Sequence, residues 1–103
     1  MKRIFAKISL FSKINGGRAQ AIPVLNFGCP VFFENIPALS SHGYDCRLLM
    51  PDYGSSISPG ETAEPIPMVF ISQDEVLMHA KVGADFFLWE GRKIGVGKIL
   101  KIE

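Results

Sequence analysis

The 103-residue sequence predicts an all-β domain, either a closed barrel or a sandwich. Three observations lead there. Apolar residues nowhere hold a 3.6-residue period over three turns, strand-sized runs of β-branched and aromatic residues recur at short spacing, and Gly, Pro, Asn and Ser separate them. A chain of this length builds one core, so residues 1–103 are read as a single domain. With 48% hydrophobic residues it has the apolar surface to offset chain entropy.

The elements follow in order. Ile4 to Phe11 alternates, with Ile4, Ala6, Ile8 and Leu10 on one face, and reads as a strand. Asn15-Gly16-Gly17 tolerate positive φ, so Ser12 to Arg18 reads as an exposed reversal. Pro23 and Pro30 each remove a ladder donor and confine the next stretch to an edge or an irregular passage. Val31 to Ile36 is then expected as a short strand, closed by Pro37 and the polar Ser40-Ser41-His42-Gly43 turn, and Tyr44 to Met50 as another. Pro51 to Pro67 is rich in Pro, Gly, Ser and acids and is expected to be one long loop. Met68 to Ser72 resumes a strand, Gln73 to Gly83 fits no single template, and Asp85 to Glu90 is nearly all aromatic or aliphatic. Gly91-Arg92-Lys93 reverses the chain into Ile94 to Ile102, where Val96, Leu100 and Ile102 share a face that Lys98 interrupts. Gly95 and Gly97 mark a bulge or a close backbone approach in that strand.

Composition excludes several classes of function. The longest apolar runs, such as Met68 to Ile71 and Phe86 to Trp89, fall far short of the roughly 20 residues of a spanning helix, so no membrane span is expected. Lys7 interrupts the would-be apolar region of a signal peptide, and Cys29 and Cys46 form no C-x-x-C pair. Reduced, buried thiols in a cytoplasmic protein are the expectation. The formal charge of +1 excludes a uniformly basic coat, but it is unevenly distributed. Residues 1–18 carry +5, residues 92–103 carry +3, and the stretch between carries −7. Were the two ends to lie together, their basic residues would merge into a patch suited to phosphates or an acidic surface.

Catalytic and metal-binding patterns are weak. Gly95-Val96-Gly97-Lys98 lacks the first glycine and the following hydroxyl of a phosphate loop, Ile99 standing in that place, so no nucleotide or other cofactor is expected. Of Cys29, His42, Cys46 and His79 only His42 and Cys46 are near one another, whereas structural zinc ligands come as close pairs, so no metal site is expected. Ser40 or Ser41 beside His42 and Asp45 fits a polar turn better than a triad. The acids Glu61, Glu64, Asp74 and Glu75 fit a solvated face.

Several stretches together resemble a known family. These are F-A-K-I-S-L-F-S-K-x-x-G-G-R (Phe5 to Arg18), Pro23, F-G-C-P-V-F-F (Phe27 to Phe33), S-P-G-E (Ser58 to Glu61) and F-F-L-W-E-G-R-K-I-G-V-G-K-I-L-K-I (Phe86 to Ile102). In order, they resemble the C-terminal β-barrel domain, the third, of elongation factor Tu and its eukaryotic and archaeal relatives. The resemblance implies a closed antiparallel barrel of about six strands without catalysis of its own. In the full-length factor that barrel grips neighbouring domains, the T-stem backbone of transfer RNA and the nucleotide-exchange factor. The positions that match its most specific segments, with basic neighbours, are Lys13, Gly16, Gly17, Arg18, Arg92, Lys93 and Lys98, and these are the candidate binding residues.

No nucleotide motif accompanies the barrel, so GTP hydrolysis is not implied. Cys29 stands where the family often has Arg and Lys93 where it usually has Thr, and the stretches Asp52 to Ser58 and Gln73 to Gly83 look remodelled. Altered loops on a retained scaffold commonly signal new partners. The first expectation is a non-catalytic module that binds a protein, either of the translation machinery or as decoy or antidote to a toxin that attacks elongation factor Tu. The alternative is binding of transfer RNA or another RNA through the basic terminal strands. An enzyme using the His42 turn or the acidic loop is the least expected.

Overall fold

The computed structural model describes residues 1–103 and closes six antiparallel strands into one barrel. The strands are β1 (Ile4–Leu10), β2 (Phe27–Phe33), β3 (Tyr44–Leu48), β4 (Thr62–Phe70), β5 (Asp85–Trp89) and β6 (Lys93–Ile102), with two short helices, α1 (Met50–Tyr53) and α2 (Gln73–His79). Around the barrel the order is β1-β4-β3-β2-β5-β6, and β6 pairs with β1 to close it. Closure distinguishes the barrel from the sandwich and leaves no full-length strand edge open.

The alternation expected in β1 is observed: Ile4, Ala6, Ile8 and Leu10 all face the core. They meet Leu48, Met68, Phe70, Phe86, Leu88 and Ile99, and no polar or charged residue is buried among them. No helix is long and apolar enough to cross a membrane.

Three expectations need correction. The strand placed at Val31 to Ile36 lies at Phe27–Phe33 instead. Pro30 is accommodated in it because that half of β2 pairs with β3 alone, while β5 pairs only with Val31, Phe32 and Phe33. Asn35, at φ 61, then turns the chain out of the sheet.

The segment Pro51 to Pro67 is not one loop, because α1 occupies its start and β4 begins at Thr62. Two prolines sit inside β4 at positions that need no donor. The Pro67 carbonyl accepts the Leu49 N–H at 2.8 Å, so its missing N–H points to where β3 has already ended. Pro65 falls in a bulge, where the register passes from Ala6↔Ile66 to Ile8↔Ala63, and the extra residue lets Glu64 and Pro65 both face solvent.

The third correction concerns β6. Val96 and Leu100 face solvent together with Lys98, while Gly97 and Ile99 face inward. A bulge between the pairs Phe5↔Lys101 and Ala6↔Ile99 then returns Ile102 toward the core. The inward parity was hidden because Gly97 has no side chain. A Cβ there would overlap the ring of Phe86, its cross-strand partner, and come within 3.1 Å of Ile8 Cδ1.

Cys29 and Cys46 face each other across β2 and β3, both buried, and Cys46 Sγ donates to the Cys29 carbonyl at 3.3 Å. The hydrogen bond with Cys29, reinforced by burial, raises the Cys46 pKa well above its ordinary value. Cys46 is thus held as the thiol and packs as a small hydrophobe. The stretch Gln73 to Gly83 resolves into α2, whose Val76 enters the core, followed by a turn at Gly83.

From α2, Glu75 Oε2 accepts the Tyr44 hydroxyl at 2.7 Å. That bond, then burial and the carboxylate charge, raise the phenol above its ordinary pKa. The folded state therefore holds this proton more tightly than the unfolded state does. The stabilisation is complete below the ordinary tyrosine pKa and is lost as pH rises through about 10 and beyond. Between about pH 9 and 11, the urea midpoint of the native protein should fall further than that of Tyr44→Phe, which has no such proton to lose.

Candidate functional site

Antiparallel order brings the end of β1, the start of β2, the β5–β6 turn and the start of β4 to one end of the barrel. Six of the seven sequence-predicted residues gather there. After β1 the chain makes a single 3₁₀ turn over Lys13–Asn15, with Gly16 closing it at φ 89 and the Gly17 N–H donating to the Ser12 carbonyl at 2.9 Å. Gly17 is buried, and a Cβ on it would overlap the Phe11 carbonyl, so only glycine fits against that backbone.

Arg92, from the β5–β6 turn, clamps the loop from the other side. Its Nε donates to the Gly16 carbonyl at 2.8 Å and its Nη2 to the Gly17 carbonyl at 3.1 Å. Arg18 is equally committed: its Nη1 reaches both oxygens of Glu90 at 2.6 and 2.7 Å, and its Nε donates to the Gln20 carbonyl at 3.1 Å. The guanidinium also lies 4.9 Å from the centre of the Phe27 ring, and the side chain is only 16% exposed. A cleft of about 270 Å³ separates Arg18 from Arg92, with Ala19, Gln20 and Glu90 completing its lining. Arg18 is thus largely withdrawn from solvent, whereas Arg92 braces the loop and remains exposed.

The clamp presents a side chain that sequence reasoning passed over. Ile14, at the tip of the 3₁₀ turn, is 92% exposed, and Lys13 beside it makes no ion pair or side-chain hydrogen bond. Val24 and Leu25, just before β2 at the same end, are also exposed. The available signal was a single apolar residue inside a polar, glycine-bounded reversal, where no core position was needed.

Lys93 starts β6 at this end but lays its side chain along the outer wall, where Lys98 also stands. Lys93 Nζ sits 4.2 Å from the centre of the Phe87 ring and 3.9 Å from Glu34. Lys98 is five residues along β6 from Lys93 and pairs with Asp85 at 3.5 Å, so it does not join the end cluster. Phe32 and Phe87 stack at 5.2 Å on that wall, with Trp89 edge-on to Phe32 at 5.6 Å. The sequence shows Asp85 to Glu90 only as a nearly all aromatic or aliphatic run; the structure divides it into Phe86 and Leu88 inward and Phe87 and Trp89 outward.

The charge separation along the sequence largely cancels in space. Arg3 pairs with Asp52, Lys7 with Glu64, Arg18 with Glu90, Lys93 with Glu34 and Lys98 with Asp85, at 2.6 to 4.0 Å. In each pair the base comes from a terminal segment and the acid from the middle. The four exposed pairs, all but Arg18–Glu90, add little stability, about 0–1 kcal/mol each, but all five neutralise the field that a basic patch would project.

The residues considered for catalysis do not converge. His42 lies at the opposite end of the barrel from Glu61, its Nδ1 at 2.8 Å from the Gly43 carbonyl. Glu61 instead accepts the Ser58 N–H at 2.6 Å and holds a turn, and Glu64 pairs with Lys7. No three His, Cys, Asp or Glu side chains gather as metal ligands. A scan against protein-family models finds none that matches the chain, and a search of curated proteins finds no significant match.

Proposed function

We propose that this barrel is a non-catalytic protein-binding module of translation-factor type, acting in the cytoplasm through the loop of Lys13, Ile14, Gly16 and Gly17. The observation that carries this reading is the loop itself. A fully exposed isoleucine sits on a turn held by two Arg92 hydrogen bonds and by a glycine packed against backbone. Pre-ordering a loop lowers the entropic cost of binding through it, and an apolar tip gains most from a protein surface. Neutralisation of the terminal bases favours a protein over an RNA, because affinity for phosphates scales with the unpaired cations available. The partner classes this reading admits are components of the translation machinery and a toxin directed at elongation factor Tu.

Ile14→Asp tests the proposal. The protein, immobilised and exposed to a cell extract at moderate salt, should retain a defined partner that Ile14→Asp loses by about tenfold or more, with an unchanged melting temperature. Equal retention by both proteins overturns it. Salt-steep binding of transfer RNA that Arg18→Ala and Arg92→Ala weaken and Ile14→Asp leaves intact would establish the RNA alternative.

A further inference from the structure

The outer wall formed by β2, β5, β6 and β1 carries an ordered row of charges. Glu34 follows β2, and its N–H donates to the Asp85 carbonyl; Asp85 is the register partner of Lys98, and Lys98 of Lys7. One row across four strands therefore reads acid, acid, base, base. Like charges on neighbouring strands are unfavourable, and Lys7 and Lys98 are directly opposite one another. The next row is apolar on three strands, running from Phe32 to Phe87 to Val96, and ends on Ser9 of β1; Val96 is 38% exposed. A groove of about 350 Å³ lies over β6, bounded by both lysines and both acids.

An acid, acid, base, base row is antisymmetric about its centre. A two-fold axis in the contact plane, parallel to the strands and between β5 and β6, reverses such a row. It would set Asp85 against Lys98 of the second copy and Glu34 against its Lys7, each contact occurring twice. The same operation sets Phe87 against Val96, at the groove. The existing pairs, Lys98–Asp85 at 3.5 Å, Lys93–Glu34 at 3.9 Å and Lys7–Glu64 at 4.0 Å, are loose and half-exposed, so exchanging them across an interface costs little. The rings do not form a platform for nucleic-acid bases: Phe32 and Phe87 stack on each other at an interplanar angle of 10°, one face of each already covered by the other.

We infer that this wall docks a second copy of the same chain through a two-fold, charge-complementary interface. It shares no residue with the Ile14 loop, so the two proposals stand or fall separately. Sedimentation equilibrium of the purified protein up to about 1 mM, the weak limit of specific association, should show a reversible monomer–dimer equilibrium that weakens with salt. Two charge-reversed proteins, Lys7→Glu with Lys98→Glu and Glu34→Lys with Asp85→Lys, should each dimerise at least about tenfold more weakly, and their equimolar mixture should regain dimer. Val96→Arg, a single exposed change whose fold is checked by circular dichroism, should give a monomer. A native protein that stays monomeric throughout, a Val96→Arg protein that dimerises as the native one does, or two folded charge variants that fail to recombine would overturn the inference.

Discussion

Alanine at Gly97 should lower stability by about 1–3 kcal/mol, a large effect for one methyl group. In the folded barrel the Phe86 ring lies across its register partner, filling the space a Cβ would need, with Ile8 Cδ1 closing the other side at 3.1 Å. Phe86 is 1% exposed and cannot swing out without opening the core. The complementary change, Phe86→Ala, leaves a cavity and should cost about 3–5 kcal/mol. Because the methyl at position 97 and the ring at 86 compete for one volume, the double variant should be more stable than the sum of the two losses predicts. Urea unfolding of the four proteins gives the coupling; strict additivity would mean that the ring does not occupy that space.

The same contact marks where the sequence could and could not be read. Side chains report which face of a strand is buried, so β1 was legible from alternation, whereas Asp85 to Glu90 was legible only as a strand-sized apolar run with its two faces undistinguished. In β6 the glycine that faces inward reports nothing, and Val96 and Leu100 supplied a false apolar face; Lys98 was the residue that marked it as outer. Prolines misled in a related way. A missing N–H excludes a residue from a ladder only if the ladder needs it there, and neither Pro30 nor Pro67 occupies such a place. That depends on which strand lies alongside and where it ends, which is long-range information. At the candidate site, Gly16-Gly17-Arg18 and Arg92 were legible as a loop and a turn. Their mutual clamp joins residues more than seventy positions apart and had no local signature.

Gly17→Ala should cost about 2–3 kcal/mol and remove partner binding as well. The added Cβ would overlap the Phe11 carbonyl and lie 2.8 Å from the Ser12 carbonyl oxygen, and both obstacles are backbone, which yields less readily than a side chain. To relieve the overlap the loop must move away from β1, which breaks the Gly17 N–H to Ser12 bond and pulls the Gly16 and Gly17 carbonyls off Arg92. Gly16→Ala is the control. A Cβ there meets nothing within 4 Å, so its cost is confined to the left-handed φ of 89, about 1–2 kcal/mol. Chemical denaturation ranks the two variants, and retention of the partner by Gly16→Ala but not by Gly17→Ala would tie binding to the clamp. Equal behaviour of the two would show that the loop's position is irrelevant to the partner.

The β1–β6 seam has a consequence for how the chain is made. β1 is the first strand to emerge from the ribosome and β6 the last, and each supplies the other's hydrogen-bonding partner along most of its length. Until β6 emerges, Ile4, Ala6, Ile8 and Leu10 have one flank unpaired, on a strand with a ready-made template for other chains. Topologies dominated by such distant pairings fold in about milliseconds to seconds, whereas translation adds about 5–20 residues per second. Synthesis is then the slow step, and the growing chain's exposure to misassembly is set by how long ribosomes take to travel from β1 to β6.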